Sequence, residues 1–151
     1  MKRRKLYIAY GSNMNKEQMK RRCPNAIPVG TGILENYKLE FRGVANIIKS
    51  KGSQVPIALW EITDECEIAL DKYEGYPRLY RKEYIMLDVD GKRRKGMVYI
   101  MNLKGIAMPQ MTYFNIIKQG YKDFKIDDSA LKKALAEALY YTEKKKIQKQ
   151  N

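Results

Sequence analysis

The chain has 151 residues and 44% hydrophobic content, a size and composition that fit one domain around one sizeable core. Of its formal charge of +13, residues 1–5 carry +4 and residues 143–151 carry +3, which leaves +6 for the rest; this peripheral distribution argues against a nucleic-acid partner. Histidine is absent, which excludes Ser-His-Asp and Cys-His nucleophile systems and the commonest catalytic metal ligand.

In chain order, Leu6 to Tyr10 is a continuous apolar run ending at Gly11, the pattern of a short central strand buried on both faces. A sharp turn follows, then a helix capped by Asn15 with Gln18, carrying Met19 and Cys23 on one face and stopped by Pro24. After a loop rich in Pro and Gly, Tyr37, Leu39 and Phe41 alternate with polar residues as a half-buried strand does. Ala45 to Ile48 continues the sheet, and a Lys51-Gly52-Ser53 turn leads to a strand from Val55 to Ile62 whose Trp60 is a core residue. Asp64 with Glu67 caps a helix whose Cys66, Leu70 and Tyr73 share a face and which Gly75 and Pro77 end.

Tyr84 to Val89 alternates again, Asp90-Gly91 is a hairpin turn, and Met97 to Met101 returns. Two helices close the chain: one after Pro109 ending near Gly120, the other after Asp127 or Asp128 with Leu131, Leu135 and Leu139 four apart and a fraying Lys/Gln-rich tail from Lys144. The order predicts an α+β fold, a small mixed, mainly antiparallel β-barrel flanked by helices, in one domain over 1–151 with basic flexible ends at about 1–5 and 143–151. Cys23 and Cys66, in no metal-like or redox-like spacing, read as two buried thiols. Lys20-Arg21-Arg22 and Lys92 to Lys95 read as solvated charge. No apolar run reaches the roughly 18 residues that cross a bilayer, and the stretch after the basic start is too short for a signal core, so no membrane partner and a cytoplasmic location are expected.

Without histidine, acid/base chemistry must come from a carboxylate, lysine, tyrosine or cysteine. Two places could supply a site. Tyr10-Gly11-Ser12-Asn13 is a tight turn between a buried strand and a helix start, where free backbone N–H groups can hold a carboxylate or an oxyanion, although Gly-Ser-Asn is also an ordinary turn sequence. Glu74 falls at a helix C-terminus among Tyr73, Tyr76 and Tyr80, where the dipole and the aromatic surroundings both raise its pKa toward neutrality; the alternative is a surface glutamate paired with a Lys or Arg.

The strand ending in Ala9-Tyr10-Gly11-Ser12-Asn13-Met14, the later Trp60 and Leu70-Asp71-Lys72-Tyr73-Glu74-Gly75 together resemble the γ-glutamylcyclotransferase family. Pro109, Tyr113 and the Ile116-Ile117 helix before Gly120 extend the resemblance over roughly residues 6 to 121. It implies a compact barrel and an enzyme that converts a γ-glutamyl amine or amino acid into 5-oxoproline and the free amine without metal or organic cofactor. It implies Glu74 as the catalytic acid, Tyr10, Gly11, Ser12 and Asn13 as the substrate-binding turn, and Tyr113 as a tyrosine lining the pocket. Asn13 separates the sequence from the related glutathione-degrading group, whose turn differs after the serine. The partner implied is a small γ-glutamyl substrate; monomer or homodimer stays open. The alternatives are a same-fold cyclotransferase for another γ-glutamyl amine or a biosynthetic γ-glutamyl intermediate, or a binding module that kept the fold and lost the reaction.

Overall fold

A computed structural model describes residues 4–150. Strand β1 (Arg4–Ala9) leads through a 3-10 turn (Ser12–Met14) to helix α1 (Lys16–Arg22), then β2 (Ile27–Arg42), β3 (Val44–Thr63), α2 (Asp64–Glu74), β4 (Tyr80–Val89), β5 (Lys92–Met101), α3 (Met111–Asp123) and α4 (Ser129–Gln150). The five strands form one sheet in the order β2-β3-β1-β5-β4. Only β1 and β5 run parallel; the other neighbours are antiparallel.

β1 is central because it is apolar on both faces: Leu6, Tyr7, Ile8 and Ala9 are all buried. That position fixes where the chain emerges at Tyr10, between strands whose side chains fill the core on either side. The α+β class and the mixed, mainly antiparallel sheet agree with the sequence, but the sheet is open rather than a closed barrel. No ladder joins edge strands β2 and β4 among the described residues.

Several boundaries differ from expectation. The Pro/Gly-rich loop is part of β2, an edge strand, where Pro28 needs no ladder donor and a register shift beside Gly30 is tolerated. Lys51-Gly52-Ser53 is not a turn between strands; it bulges out of the single long β3, with the Gly52 N–H donating to Asn36 Oδ1 at 3.0 Å. The hairpin turn lies instead at Gly43, between β2 and β3.

Gly120 does not end α3 but lies inside it, where a Cβ would stand 2.7 Å from the backbone of Met14 and Asn15, so the missing side chain lets α3 pack on the 3-10 turn. The tail from Lys144 continues α4 to Gln150, and Arg4 and Lys5 belong to β1, so regular structure extends into both basic ends; residues 1–3 and 151 lie outside the described residues. Leu139 is exposed, and Ala134 and Ala138 with Leu131 form the buried stripe of α4.

Cys23 and Cys66 are buried as expected, but they are joined as a disulfide rather than free thiols. Although 43 residues apart in sequence, their Cα atoms lie 5.1 Å apart because the end of α1 docks on the start of α2.

Candidate active site

The turn after β1 is held from several directions. Met14 N–H donates to the Gly11 carbonyl and Asn15 N–H to that of Ser12, each at 3.0 Å. In such a turn the first N–H groups, those of Ser12 and Asn13, have no carbonyl one turn earlier to bond. The Asn15 side chain caps α1 by accepting from Gln18 N–H, as its sequence position suggests. Trp60 is a buried core residue with one polar task, donating its indole N–H to the Asn13 carbonyl at 3.0 Å. Asn13 Nδ2 donates to the Tyr7 hydroxyl at 2.9 Å, while its Oδ1 accepts from Arg22 at 2.5 Å. Gly11 has no room for a side chain without displacement: a Cβ would stand 3.2 Å from Ala45 Cβ and 3.5 Å from the Tyr113 hydroxyl.

Opposite this turn stands the end of α2. Thr63, one residue before the expected Asp64, caps the helix by accepting from Cys66 N–H. Gly75 ends it at φ 69°, the left-handed conformation that glycine adopts without steric cost. The helix is bound to the sheet by Asp71, which accepts from the Tyr99 hydroxyl at 2.6 Å, and by Lys82, which bridges Asp71 and Glu67. Lys5 of β1 also pairs with Glu67. These bonds aim the last turn of α2, and with it Glu74, at the mouth of β1.

Glu74, Tyr10, Gly11, Ser12, Asn13 and Tyr113 all line one cavity of about 320 Å³. The structure therefore brings together the residues singled out in the two sequence motifs and the distant tyrosine. Their individual bonds differ. Tyr10 donates its hydroxyl to the Tyr99 carbonyl at 2.6 Å, Ser12 Oγ lies 3.2 Å from the Tyr73 hydroxyl, and the Tyr113 hydroxyl accepts from Ala45 N–H at 2.9 Å. Sequence reasoning missed the rest of the lining: Tyr7 and Tyr99 face it from β1 and β5, while Val44, Leu79, Met101 and Leu103 give it an apolar wall. These residues carry no motif; strand alternation could have flagged Tyr7 and Tyr99 as inward-facing and nothing more.

Burial pushes the Glu74 carboxyl from its ordinary 4.5 up to about 7, with the Arg22 guanidinium pulling the other way. Burial also raises the phenols of Tyr7, Tyr80 and Tyr113, so they remain neutral hydrogen-bonding groups across the physiological range. Glu74 is thus the cavity-lining group that changes charge near pH 7. Tyr76, expected beside it, turns instead to Lys82, whose ammonium lies 4.2 Å from its ring centre.

A family described as gamma-glutamyl cyclotransferase, AIG2-like, matches residues 7–120. Among curated relatives, a human protein named gamma-glutamylcyclotransferase is 29% identical over 135 residues, covering 78% of this chain and 70% of that protein. A Mus musculus protein of the same name is 27% identical with the same coverage. A solved structure called gamma-glutamyl cyclotransferase superimposes with a TM-score of 0.78 at 25% identity, covering 87% of this chain and 86% of that one. No described helix is long and apolar enough to cross a membrane.

Proposed function

The chain belongs to the gamma-glutamyl cyclotransferase, AIG2-like family, and from that premise we propose that it releases 5-oxoproline and a free amine or amino acid from a small γ-glutamyl substrate, with Glu74 as general acid/base. The observation that carries the reading is a half-buried carboxyl poised at about pH 7 in a cavity opposite the Gly11–Asn13 turn.

The substrate brings its own nucleophile, so the absence of histidine is no obstacle. Its α-nitrogen lies four bonds from the γ-carbonyl carbon, and holding the chain bent gives the advantage of an intramolecular reaction. The Glu74 carboxylate takes one proton from the α-ammonium. The freed nitrogen lone pair attacks the γ-carbonyl carbon, closing a five-membered ring and moving the C=O electron pair onto oxygen. The N–H groups of the Gly11–Asn13 turn receive that oxyanion or the substrate carboxylate. As the tetrahedral carbon collapses, the bond to the departing nitrogen breaks and the Glu74 carboxylic acid returns its proton there; the regenerated carboxylate then takes the surplus proton from the ring nitrogen and passes it to the released amine, which leaves as an ammonium. One side chain serves both transfers, a contribution of about 10² to 10⁴ in rate.

Tyr10 and Tyr113 wall the bent substrate, and Ser12 positions it. Val44, Leu79 and Met101 offer the ring-closing atoms an apolar wall. We assign the reaction to the cytoplasm, in a single domain. Purified protein incubated with a panel of γ-glutamyl dipeptides and amines, followed by mass spectrometry for 5-oxoproline, tests the reading. Product from at least one substrate and none with Glu74→Gln is expected. Comparable turnover by that variant would remove Glu74 from the chemistry.

A further inference from the structure

Arg22 sits at the last position of α1, in a run of three basic residues, and does not behave as its neighbours do. Arg21 is well exposed and pairs with Glu17 one turn back. Arg22 is half-buried and folds over the back of the cavity wall. Its Nη1 donates to Asn13 Oδ1 at 2.5 Å, its Nη2 donates to Gln18 Oε1 at 2.9 Å, and its guanidinium lies 3.6 Å from the centre of the Tyr73 ring. Tyr73 in turn reaches Ser12 Oγ at 3.2 Å, and Asn13 reaches the Tyr7 hydroxyl. A single planar cation therefore touches the binding turn on one side and, on the other, the residue next to Glu74. Stacking and forked donation at once are what a guanidinium does and an ammonium does not.

We propose that Arg22 is a positioning residue for the reaction, which from outside the cavity fixes the Asn13 amide and the Tyr73 ring and so registers the α2 end bearing Glu74 against the Gly11–Asn13 turn. Binding at Oδ1 leaves Asn13 only its Nδ2 for Tyr7, which sets the amide and holds the turn in one conformation. The stacked Tyr73 ring holds the last turn of α2. The same cation also acts through its charge. The groups whose fields meet Glu74 are Arg22 from α1, Tyr7 from β1 and Tyr10 just after it, Tyr80 from β4 and Tyr113 from α3, with Tyr73 beside it on α2 and Tyr99 of β5 in the same cavity wall. Arg22 is the charged member of that set, and it lowers the Glu74 proton affinity that burial raises.

The inference rests on the cyclotransferase reading for its kinetic arm and stands apart from it in a second arm. Kinetically, Arg22→Gln should cut kcat/KM by about 10- to 100-fold, the scale of a lost charge-assisted hydrogen bond, and move the acidic limb of the kcat/KM profile to higher pH. Arg22→Lys keeps the charge and loses the fork and the stack, so its rate should fall while the limb stays near the wild-type position. Arg21→Gln should match wild type in both. In the second arm, the Glu74 carboxyl carbon is followed by ¹³C NMR through a pH titration without substrate, and Arg22→Gln should titrate higher than wild type. Absence of 5-oxoproline from wild type would defeat the activity and leave the NMR arm to decide Arg22. An unmoved Glu74 titration in a folded Arg22→Gln or an unmoved acidic limb would overturn the proposal, as would wild-type kcat/KM in Arg22→Lys.

Discussion

Replacing Glu74 by Gln should make the protein more stable in mildly alkaline solution while removing its activity. The folded protein holds the Glu74 proton up to about pH 7, whereas the unfolded chain releases it at the ordinary 4.5. A proton affinity raised by folding contributes stability that is fully present below pH 4.5 and is lost as pH rises through 7. At about 1.4 kcal/mol per pH unit, the interval corresponds to about 3 kcal/mol, the cost of keeping the buried carboxylate charged. Gln has nearly the same shape and never ionises, so Glu74→Gln escapes that loss. Its stability relative to wild type should rise by about 3 kcal/mol between pH 4.5 and pH 8.5, on the order of 10 °C in Tm for a chain of this length. Denaturant titration and thermal melts of both proteins at a series of pH values measure it. A stability difference that stays flat across this window would show that Glu74 titrates as an exposed carboxyl and would undo the argument for its poise at neutrality.

Other outcomes follow from the same contacts. Gly120→Ala should destabilise by about 1–3 kcal/mol, because its Cβ meets the Met14 and Asn15 backbone at 2.7 Å and must push α3 off the binding turn; chemical denaturation reads the cost. Gly11→Ala needs only a few tenths of an ångström of movement at Ala45, so it should fold and raise KM more than it lowers Tm, which steady-state kinetics and a melt together separate. Reducing the Cys23–Cys66 bond opens a loop spanning 43 residues and should lower stability by up to about 4 kcal/mol on the chain-entropy account, seen as a Tm drop with reductant that a Cys23→Ser/Cys66→Ser variant does not show.

The elements around the site were legible wherever their signals are local. Asn15 capping Gln18, Gly75 beyond the last turn of α2 and Asp90-Gly91 between β4 and β5 depend on residues a few positions apart, and each lies where the sequence places it. Boundaries failed where a distant partner overrode a local rule. Pro28 and the glycines of β2 look like loop residues until β3 pairs with them, and Gly120 looks like a helix end until Met14 is packed against it.

By itself the sequence determined the two motifs, the apolar strand that must be central, and the single carboxylate at the end of a helix, because periodicity, capping and turn chemistry are written in neighbouring residues. Only the tertiary structure decided that Cys23 meets Cys66, that Arg22 leaves the solvated face to stack on Tyr73, and that side chains from α2, β4, β5 and α3 complete the cavity with β1. Those contacts join residues tens of positions apart, and their geometry follows from how the sheet and its helices pack rather than from any pattern along the chain.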